Sequence, residues 1–350
     1  MPETILSPRQ LFILNLINSF SGLNRKEIEE KISSVYPISK VTLTRELAHL
    51  IEQKLVKTLG SARAIKYLPF NDNPVLRPYD LTQYFLLDVD KRKGLTSINL
   101  NIFNNLNNLF YNHEISHIKK INRSFEEATA KLDKSILEKE LERFIIELSW
   151  KSSKIEGNTY SLLDTEKLIK EGIEASNHPK SESIMILNHK NVFKHILKYK
   201  SDYRNLNFQK IMQLHGQIVK DLQVDTGIRK QAVGITGTTY VPPGNEWQIR
   251  EAIESAIKII NKSKFPLEKA LITSALISYI QPFVDGNKRT GRMLANAILL
   301  ADDFYPLSYR AVDESIYKES LILFYEQNSL YQLKKIFLDQ YTFALNTYFK

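Results

Sequence analysis

Residues 281–292 read Gln-Pro-Phe-Val-Asp-Gly-Asn-Lys-Arg-Thr-Gly-Arg, and this polar stretch separates two apolar segments. Apolar residues recur at helical spacing on both sides, which predicts helices over 267–280 and 289–301. Gly286 permits a tight turn and a close approach of the backbone. The sequence therefore predicts a short polar loop between two helices of the protein core.

The loop has the features of an anion-binding site. The backbone N–H groups of Gly286, Asn287 and Lys288 precede a helix N-terminus, where unpaired amides and the helix dipole attract negative charge. Arg289 and Arg292 are three residues apart, so they share one face of that helix. Guanidinium groups bind phosphate oxygens through paired hydrogen bonds. These residues predict a cradle for an oligophosphate.

Asp285 places a carboxylate beside this cradle. Carboxylate oxygen is a hard ligand that suits a Mg²⁺ ion bound to phosphate. The residues leave one alternative open, in which the loop is only a polar connection and its arginines pair with nearby carboxylates. Phe283 is expected to anchor the core.

The stretch resembles the signature of Fic proteins, His-Pro-Phe-x-(Asp/Glu)-Gly-Asn-x-Arg-x-x-Arg, and matches it at seven positions outside the first. The resemblance covers about residues 101–310 and implies a mainly α fold, a Fic helical core with a β-hairpin flap. It also implies a protein adenylyltransferase, which transfers AMP from Mg²⁺-bound ATP to a Ser, Thr or Tyr hydroxyl of a target protein. Gly286 and Arg292 are both present, which favours AMP transfer over the kinase reaction of Doc-type toxins.

The resemblance also implies a role for each polar residue of the loop. Asp285 holds Mg²⁺, and the loop amides cradle the α- and β-phosphates. Arg289 contacts the β- and γ-phosphates, and Arg292 binds the γ-phosphate or pairs with an inhibitory glutamate. The implied ATP contacts are Gly286, Asn287, Lys288, Arg289 and Arg292.

Position 281 departs from the family pattern. Gln281 stands where Fic proteins carry the catalytic histidine, the general base that takes the proton of the target hydroxyl. Imidazole titrates near working pH, whereas a glutamine amide does not and cannot take the proton. Loss of a general base typically lowers the rate by about 10²–10⁴. We expect a protein still shaped to bind ATP but inactive or impaired in transfer, with His215 structural and not a replacement base.

Residues 152–158 read Ser-Ser-Lys-Ile-Glu-Gly-Asn and resemble the inhibitory motif (Ser/Thr)-x-x-x-Glu-(Gly/Asn) of Fic proteins. Because the motif precedes the signature, the resemblance implies an inhibitory helix near 145–158. Ser152 begins the motif, and Glu156 is expected to pair with Arg292 and to repel the ATP γ-phosphate. The alternative is an ordinary surface glutamate before a glycine helix cap.

Residues 227–243 interrupt the helical pattern with β-branched residues, glycines and a terminal Pro-Pro. This composition predicts an extended hairpin or flap and not a helix. The resemblance implies that it is the Fic flap, which lies over the nucleotide and holds the target backbone as an added strand. The flap residues expected at the target are Gly234, Ile235, Thr236, Gly237, Thr238 and Tyr240.

The first 70 residues have a different pattern, three helices followed by two short strands around a glycine turn. This order resembles a winged helix-turn-helix, whose third helix enters the major groove of DNA. Thr42 and Arg45 are then expected to face bases, and Arg63 on the wing to meet phosphate. The alternative is a domain that packs against the rest of the chain or a partner, because fold alone does not give function.

The distribution of charge favours a polyanion partner for this domain. The chain carries 48 Lys and Arg against 39 Asp and Glu, a net charge of +9. Residues 1–70 hold ten basic and six acidic residues, a net of +4, which leaves +5 for the other 280. The positive excess is thus about three times denser at the N-terminus. A lysine-rich solvated surface is the alternative.

The predicted organisation has three parts. These are a winged helix-turn-helix over 1–70, a linker over 71–100 rich in proline and charge, and the Fic domain over 101–350. In the third part, periodicity predicts long helices, among them 126–149 and 313–347. The C-terminal helical segment is expected in the core, and a homodimer face is the alternative.

Composition limits the classes of protein that remain. A chain of 350 residues with 43% hydrophobic and 25% charged residues is typical of globular domains and excludes a disordered or collagen-like protein. The absence of cysteine excludes disulfides and thiolate chemistry. We see no signal peptide and no apolar run of membrane length, so we expect a cytoplasmic protein without a membrane contact.

Two functions remain in competition. The first is an auto-inhibited protein adenylyltransferase, impaired by Gln281, that modifies a target protein or itself. The second is a DNA-binding transcriptional regulator whose degenerate Fic core senses nucleotide. A helical scaffold without a ligand is disfavoured by the two arginines in a glycine-containing loop.

Overall fold

The computed structural model describes residues 6–20, 22–61, 64–70 and 73–348. Within these ranges the chain forms fourteen α-helices and one two-stranded sheet, which confirms the prediction of a mainly α protein. None of the helices described is long and apolar enough to cross a lipid bilayer.

The N-terminal elements have a hydrophobic core of their own, built from residues between Leu6 and Val56. Ser39 caps the third helix, and the two strands pair antiparallel with Val56 opposite Pro69. This is the predicted order of elements, and its identification as a winged helix-turn-helix stays a prediction. The elements are α1 (Pro8–Ser19), α2 (Arg25–Ser33), α3 (Lys40–Glu52), β1 (Val56–Leu59) and β2 (Lys66–Pro69).

The segment between the two cores packs on the main body, whereas its composition suggested a linker. Val75 lies in the main hydrophobic core. The buried Arg92 forms an ion pair with Glu326, with 3.0 Å between Nε and Oε2. The backbone N–H of Leu95 donates to the carbonyl of Glu326 at 2.8 Å. A buried guanidinium needs such a partner, so one residue of the charged run fixes the segment in place. The segment contains α4 (Leu81–Phe85).

The main body is a helical bundle with one helix at its centre. That helix, α11, is buried at every position from Leu267 to Ile280. A helix that is covered on all sides must lie inside the domain, which explains its nearly continuous apolar sequence. The helices of this body are α5 (Asn112–Thr129), α6 (Lys134–Ile155), α7 (Leu162–Glu171), α8 (Lys180–Lys198), α9 (Phe208–Ile218), α10 (Glu246–Lys262), α11 (Pro266–Ile280), α12 (Asn287–Ala301), α13 (Glu314–Gln327) and α14 (Tyr331–Thr347).

Helices α11 and α12 pack closely because Gly291 lacks a side chain. A Cβ atom at this position would lie 3.1 Å from the carbonyl oxygen of Ser274. Both helices are buried along most of their length. The loop that joins them, residues 281–286, is therefore held at each end by the core of the domain.

Two of the predicted helices are interrupted. The segment 126–149 is divided between α5 and α6, and the segment 313–347 is divided by Asn328. Asn328 has a left-handed backbone with φ of 53°, and its side chain donates to the carbonyl of Phe324 at 3.0 Å. The C-terminal helix packs in the core, where Tyr341 is fully buried.

Candidate active site

The loop between α11 and α12 is shaped by hydrogen bonds to its own backbone. The Asn287 side chain bridges Phe283, since Nδ2 donates to the carbonyl and Oδ1 accepts from the N–H, each at 2.9 Å. Gln281 ends α11 in a left-handed conformation with φ of 49°. The Asn287 side chain thus holds the loop backbone in place, and both its Oδ1 and its Nδ2 are already hydrogen-bonded.

Gly286 is required by both conformation and space. Its φ of 81° lies in the left-handed region, which favours glycine. A Cβ atom here would lie 2.8 Å from Cγ1 of Val219, the residue that directly follows helix α9. Any larger residue would move the loop away from its present path.

A candidate anion site lies at the start of α12. This helix has no side-chain cap at its N-terminus, so its first amides are not capped by the protein. Arg289 is only 3% exposed, and within the described residues its Nη1 has no hydrogen-bond partner. Buried polar groups are normally bonded, so an unpartnered guanidinium N–H at a helix N-terminus favours an anion ligand. Burial lowers the pKa of Arg289, and the nearby Asp285 opposes that shift.

Asp285 already makes two contacts within the loop. Its Oδ2 pairs with Nη2 of Arg289 at 2.8 Å, and its Oδ1 accepts from the N–H of Gly286 at 2.6 Å. The side chain is nevertheless 64% exposed. No group of three or more potential metal-ligating side chains occurs in the described parts of the chain. A metal here would therefore take most of its ligands from phosphate and water.

Arg292 is fully buried and is held by the end of helix α6. Its Nη1 lies 2.8 Å from Oε1 of Glu156. Its Nε donates to Oγ of Ser152 at 2.9 Å, and its Nη2 donates to the Ser152 carbonyl at 2.8 Å. The inhibitory motif and the loop signature, 140 residues apart in sequence, thus meet at one guanidinium group.

The charges at this contact are strongly coupled. Burial raises the pKa of Glu156, but Arg292, Lys288 and Arg289 together outweigh it, and the pKa lies below its ordinary value. Burial lowers the pKa of Arg292, but Glu156 and the neighbouring tyrosines together outweigh it, and the pKa is raised. Both side chains are therefore ionised near neutral pH, and each neutralises the other.

Gln281 carries no titratable group at the position where the sequence resemblance implies a catalytic histidine. The Gln281 side chain donates from Nε2 to the Ser278 carbonyl at 2.7 Å. His215 donates from Nε2 to the carbonyl of Asp285 at 2.9 Å and stacks on Phe283, with ring centroids 3.6 Å apart. Burial lowers the pKa of His215 to about 4. His215 therefore holds the loop through Asp285 and Phe283, which agrees with the structural role expected for it.

The predicted hairpin at 227–243 is wrong, because no residue of this segment lies in a β-strand. The segment is held by the side chain of one of its own arginines and by hydrogen bonds to neighbouring parts of the protein. The buried Arg229 donates from Nε to the Gln281 carbonyl at 2.7 Å and from Nη2 to the Pro243 carbonyl at 2.6 Å. The N–H of Val241 donates to the carbonyl of Thr96 at 3.0 Å. The segment is an irregular flap pinned to the loop.

Tyr240 is the one predicted flap residue that is fully inside the protein. Its hydroxyl donates to the Tyr279 carbonyl at 2.9 Å, and its ring stacks on Tyr279. Tyr240 anchors the flap and does not present a side chain to a target. Gly237 is held by Arg92, which donates to its carbonyl. The remaining predicted residues, Gly234, Ile235, Thr236 and Thr238, are exposed or half-buried.

Comparison with known proteins agrees with this geometry. Residues 205–299, from just before α9 to the end of α12, match the profile of the Fic/DOC family. The chain contains a Fic/DOC family domain. The resemblance noted from the loop residues is thereby confirmed for this part of the chain.

Two curated relatives of the Fic domain are named as adenylyltransferases. A protein adenylyltransferase Fic from Nematostella vectensis is 27% identical over 176 residues, which cover 49% of this chain and 41% of that protein. A probable protein adenylyltransferase from Aquifex aeolicus (strain VF5) is 29% identical over 102 residues, which cover 29% of this chain and 32% of that protein. The match spans less than half the length of either relative.

Solved structures show the same fold. A Fic-1 fragment from C. elegans superposes with a TM-score of 0.56 at 20% identity, covering 66% of this chain and 71% of that one. A Fic family protein from Desulfovibrio desulfuricans G20 gives a TM-score of 0.56 at 20% identity, covering 68% and 74%. The prediction of a Fic helical core is confirmed.

The sequence analysis did not single out three residues that hold the flap or the Arg292 contact. Arg229 pins the flap, Arg92 reaches it from the supposed linker, and His189 contacts Ser152 with 2.9 Å between Nε2 and Oγ. The isolated arginine in a β-branched, glycine-rich segment was a usable signal for Arg229. Nothing in the local sequence distinguishes His189 from an ordinary core histidine.

The candidate DNA-binding residues lie on the N-terminal domain, and the structure changes their assignment in part. Arg45 is exposed on α3, as predicted. Thr42 is half-buried, and its N–H and hydroxyl both contact Oγ of Ser39 in the helix cap, so it is not free to face a base. Arg63 lies outside the described residues. The exposed face of α3 has a shallow hollow of about 250 Å³ lined by Arg25, Lys40, Val41, Thr44 and Arg45.

We expect the ion pair between Glu156 and Arg292 to stabilise the folded protein by an amount that depends on pH. Glu156→Gln leaves the buried Arg292 charge without its carboxylate, which we expect to lower the free energy of unfolding at pH 7 by about 3 kcal/mol. Because folding lowers the pKa of Glu156, its contribution is present above the unfolded pKa and is lost as pH falls through the folded value. Urea denaturation at several pH values measures both effects.

The difference between wild type and Glu156→Gln is expected to be constant from pH 7 to about pH 5.5 and to narrow below about pH 4.5. Glu171→Gln is the matched control, since Glu171 is an exposed glutamate before a glycine at the end of α7. Equal stabilities at pH 7, or a difference that widens in acid, would contradict a paired, ionised Glu156.

Proposed function

We propose that this chain is shaped as a protein adenylyltransferase that transfers AMP from ATP to a hydroxyl of a target protein. The observation that carries the proposal is the anion site at the start of α12, where a buried and partly unpartnered Arg289 lies beside uncapped helix amides. These groups suit the phosphates of a nucleotide. The adenylyltransferase names of the relatives support the same reaction.

The reaction itself is a displacement at the α-phosphate. The target hydroxyl oxygen forms a bond to the α-phosphorus, the bond from that phosphorus to the leaving oxygen breaks, and pyrophosphate departs. Fixed positive groups stabilise the charge that develops on the phosphate oxygens, and in phosphoryl transfer this positioning supplies most of the acceleration. The hydroxyl proton must leave as well, and Gln281 cannot accept it. The chain therefore retains the cradle but lacks the base.

Asp285 fits the magnesium ion that such a substrate carries. Its carboxylate is exposed at the mouth of the anion site, and a single carboxylate plus phosphate oxygens and water is a common Mg²⁺ environment. The ion would neutralise phosphate charge. Each carboxylate oxygen of Asp285 has a second lone pair, so the residue would hold the ion while Oδ2 keeps its contact with Arg289.

Glu156 makes the proposed enzyme auto-inhibited. While its carboxylate pairs with Nη1 of Arg292, that N–H is not available to a γ-phosphate. The carboxylate also repels phosphate at short range, since like charges at about 4 Å cost several kcal/mol at reduced dielectric. Lys288 lies close enough to contribute to the charge balance around Glu156.

The flap is the proposed site of target binding. Its exposed part, 234–236, has no backbone hydrogen bond to the rest of the described chain, so a target strand can add there. The part from Gly237 to Val241 is already bonded to the protein through Arg92 and Thr96. Self-modification through the same flap is a further candidate reaction.

Label transfer from α-³²P-ATP with Mg²⁺, to the chain itself and to lysate proteins, tests the proposed activity. We compare wild type, Glu156→Gly, Gln281→His and the double variant. We expect Gln281→His to raise transfer by about 10²–10⁴ because it supplies the missing base. The double variant is expected to transfer most, because Arg292 is also released.

Glu171→Gly controls for removal of a glutamate at a helix end, because this residue is exposed at the end of α7 and lies outside the motif. It is expected to leave transfer unchanged in the Gln281→His background. Absence of label in every variant that still binds ATP would reject adenylyl transfer and leave nucleotide sensing.

A second candidate function, DNA binding, is favoured by the exposed face of α3. Arg25, Lys40 and Arg45 surround one hollow. Lys40 and Arg45 lie on α3, the helix that a winged helix-turn-helix inserts into DNA, and Arg25 begins the neighbouring α2. The positive excess in residues 1–70 adds attraction for a polyanion. Under this proposal the Fic domain reports nucleotide binding to a DNA-bound domain.

Binding of a duplex DNA library, measured by fluorescence anisotropy from 50 to 200 mM salt, tests this function. We expect affinity to fall steeply with salt, and Arg45→Ala to weaken binding about tenfold. Lys134→Ala is the control, because Lys134 is equally exposed but lies on α6. A chain that ignores DNA at the lowest salt would exclude the second function.

A further inference from the structure

His189 lies on α8 with no exposed surface, directly behind the contact between Ser152 and Arg292. Its Nε2 is 2.9 Å from Oγ of Ser152, and its Nδ1 is 2.8 Å from the carbonyl oxygen of Met185. Both ring nitrogens are thus bonded in a fully buried site. A histidine held in this way has a fixed orientation.

The direction of each hydrogen bond follows from the groups involved. A carbonyl oxygen only accepts, so Nδ1 of His189 carries the proton and donates to Met185. Nε2 then has only a lone pair and must accept the hydroxyl proton of Ser152. Burial lowers the pKa of His189 to about 3, and the charges of Arg289 and Arg292 act in the same direction. The imidazole is therefore neutral at physiological pH.

The hydroxyl of Ser152 is oriented as a result. Because it gives its proton to His189, its lone pairs are available to Nε of Arg292 at 2.9 Å. The Ser152 carbonyl accepts from Nη2 of the same guanidinium. The Nε and Nη2 atoms of Arg292 are thereby fixed by Ser152. Nη1 is left for a negatively charged partner, here Glu156.

We propose that His189 is a positioning residue for Arg292. It sets the direction of the Ser152 hydroxyl, and that hydroxyl fixes the guanidinium so that Nη1 faces Glu156 or, once Glu156 is removed, a phosphate. The hydrogen bonds alone define this relay, whereas its consequence for nucleotide binding rests on the proposed function. His189 does not touch the substrate in this account.

Proton exchange at Nε of Arg292 tests the relay without any nucleotide. The chain is labelled with ¹⁵N-arginine, and the Arg292 signal is assigned by its loss in Arg292→Lys. We expect slow exchange in wild type and exchange at least about tenfold faster in His189→Phe, because the Ser152 hydroxyl is then no longer oriented to accept from Nε of Arg292. His189→Gln is expected to keep exchange slow, since its amide can donate to Met185 and its carbonyl can accept from Ser152.

Two further variants separate the relay from a general loss of structure. His195→Phe changes another histidine of α8 that is half-exposed, and it is expected to leave the Arg292 signal unchanged. Ser152→Ala is expected to reproduce the effect of His189→Phe, and the double variant to add nothing. Unchanged exchange in both His189→Phe and Ser152→Ala, or equal loss in His189→Gln and His189→Phe, would overturn the proposal.

ATP affinity in the Glu156→Gly background measures the functional consequence. We expect His189→Phe to raise the Kd about tenfold and His189→Gln to change it by less than about twofold. Unchanged affinity in His189→Phe would overturn the positioning role. If no form binds ATP, the proposed function fails, and the exchange measurement still decides whether His189 orients Arg292.

Discussion

A positive charge in the middle of the protein is the constraint on which this structure depends. Arg292 has no exposed surface, and an uncompensated charge in such a place would be very costly. Helix α6 supplies a carboxylate, a hydroxyl and a carbonyl to it, while α8 supplies the imidazole that directs the hydroxyl. The packing of these helices on α12 and the state of the anion site are therefore set by one set of contacts.

The contacts that fix the loop and the flap are separate from the side chain at position 281. Gly286 and Asn287 set the backbone of the loop, and Arg229 joins the carbonyl of Gln281 to the flap. None of these contacts uses the side chain of residue 281. Under the proposed function, a histidine at position 281 would therefore add a proton acceptor and leave the contacts of the loop as they are. Nucleotide binding and AMP transfer are then expected to respond differently to Gln281→His.

The sequence predicted the helices and the loop of the site better than the contacts between residues that are distant in the chain. The helices on each side of residues 281–292, the loop and the pairing of Glu156 with Arg292 follow from periodicity and short motifs, and the structure contains all of them. Long-range contacts left no local pattern, so Arg92 was placed in a linker and His189 was not singled out. The flap was predicted as a hairpin because β-branched residues favour strands, but its backbone groups bond to the side chains of Arg229 and Arg92 and to the Thr96 carbonyl instead of forming a strand ladder.

Calorimetric titration of ADP and ATP into wild type and Glu156→Gly tests the central role of Arg292 most directly. If Glu156 occupies the group that meets the γ-phosphate, ADP should bind both forms equally. ATP should then bind Glu156→Gly at least about tenfold more tightly than wild type, a difference of about 1.4 kcal/mol. Equal ATP affinities in the two forms would contradict the account, because they would show that the Glu156–Arg292 pair does not control the anion site.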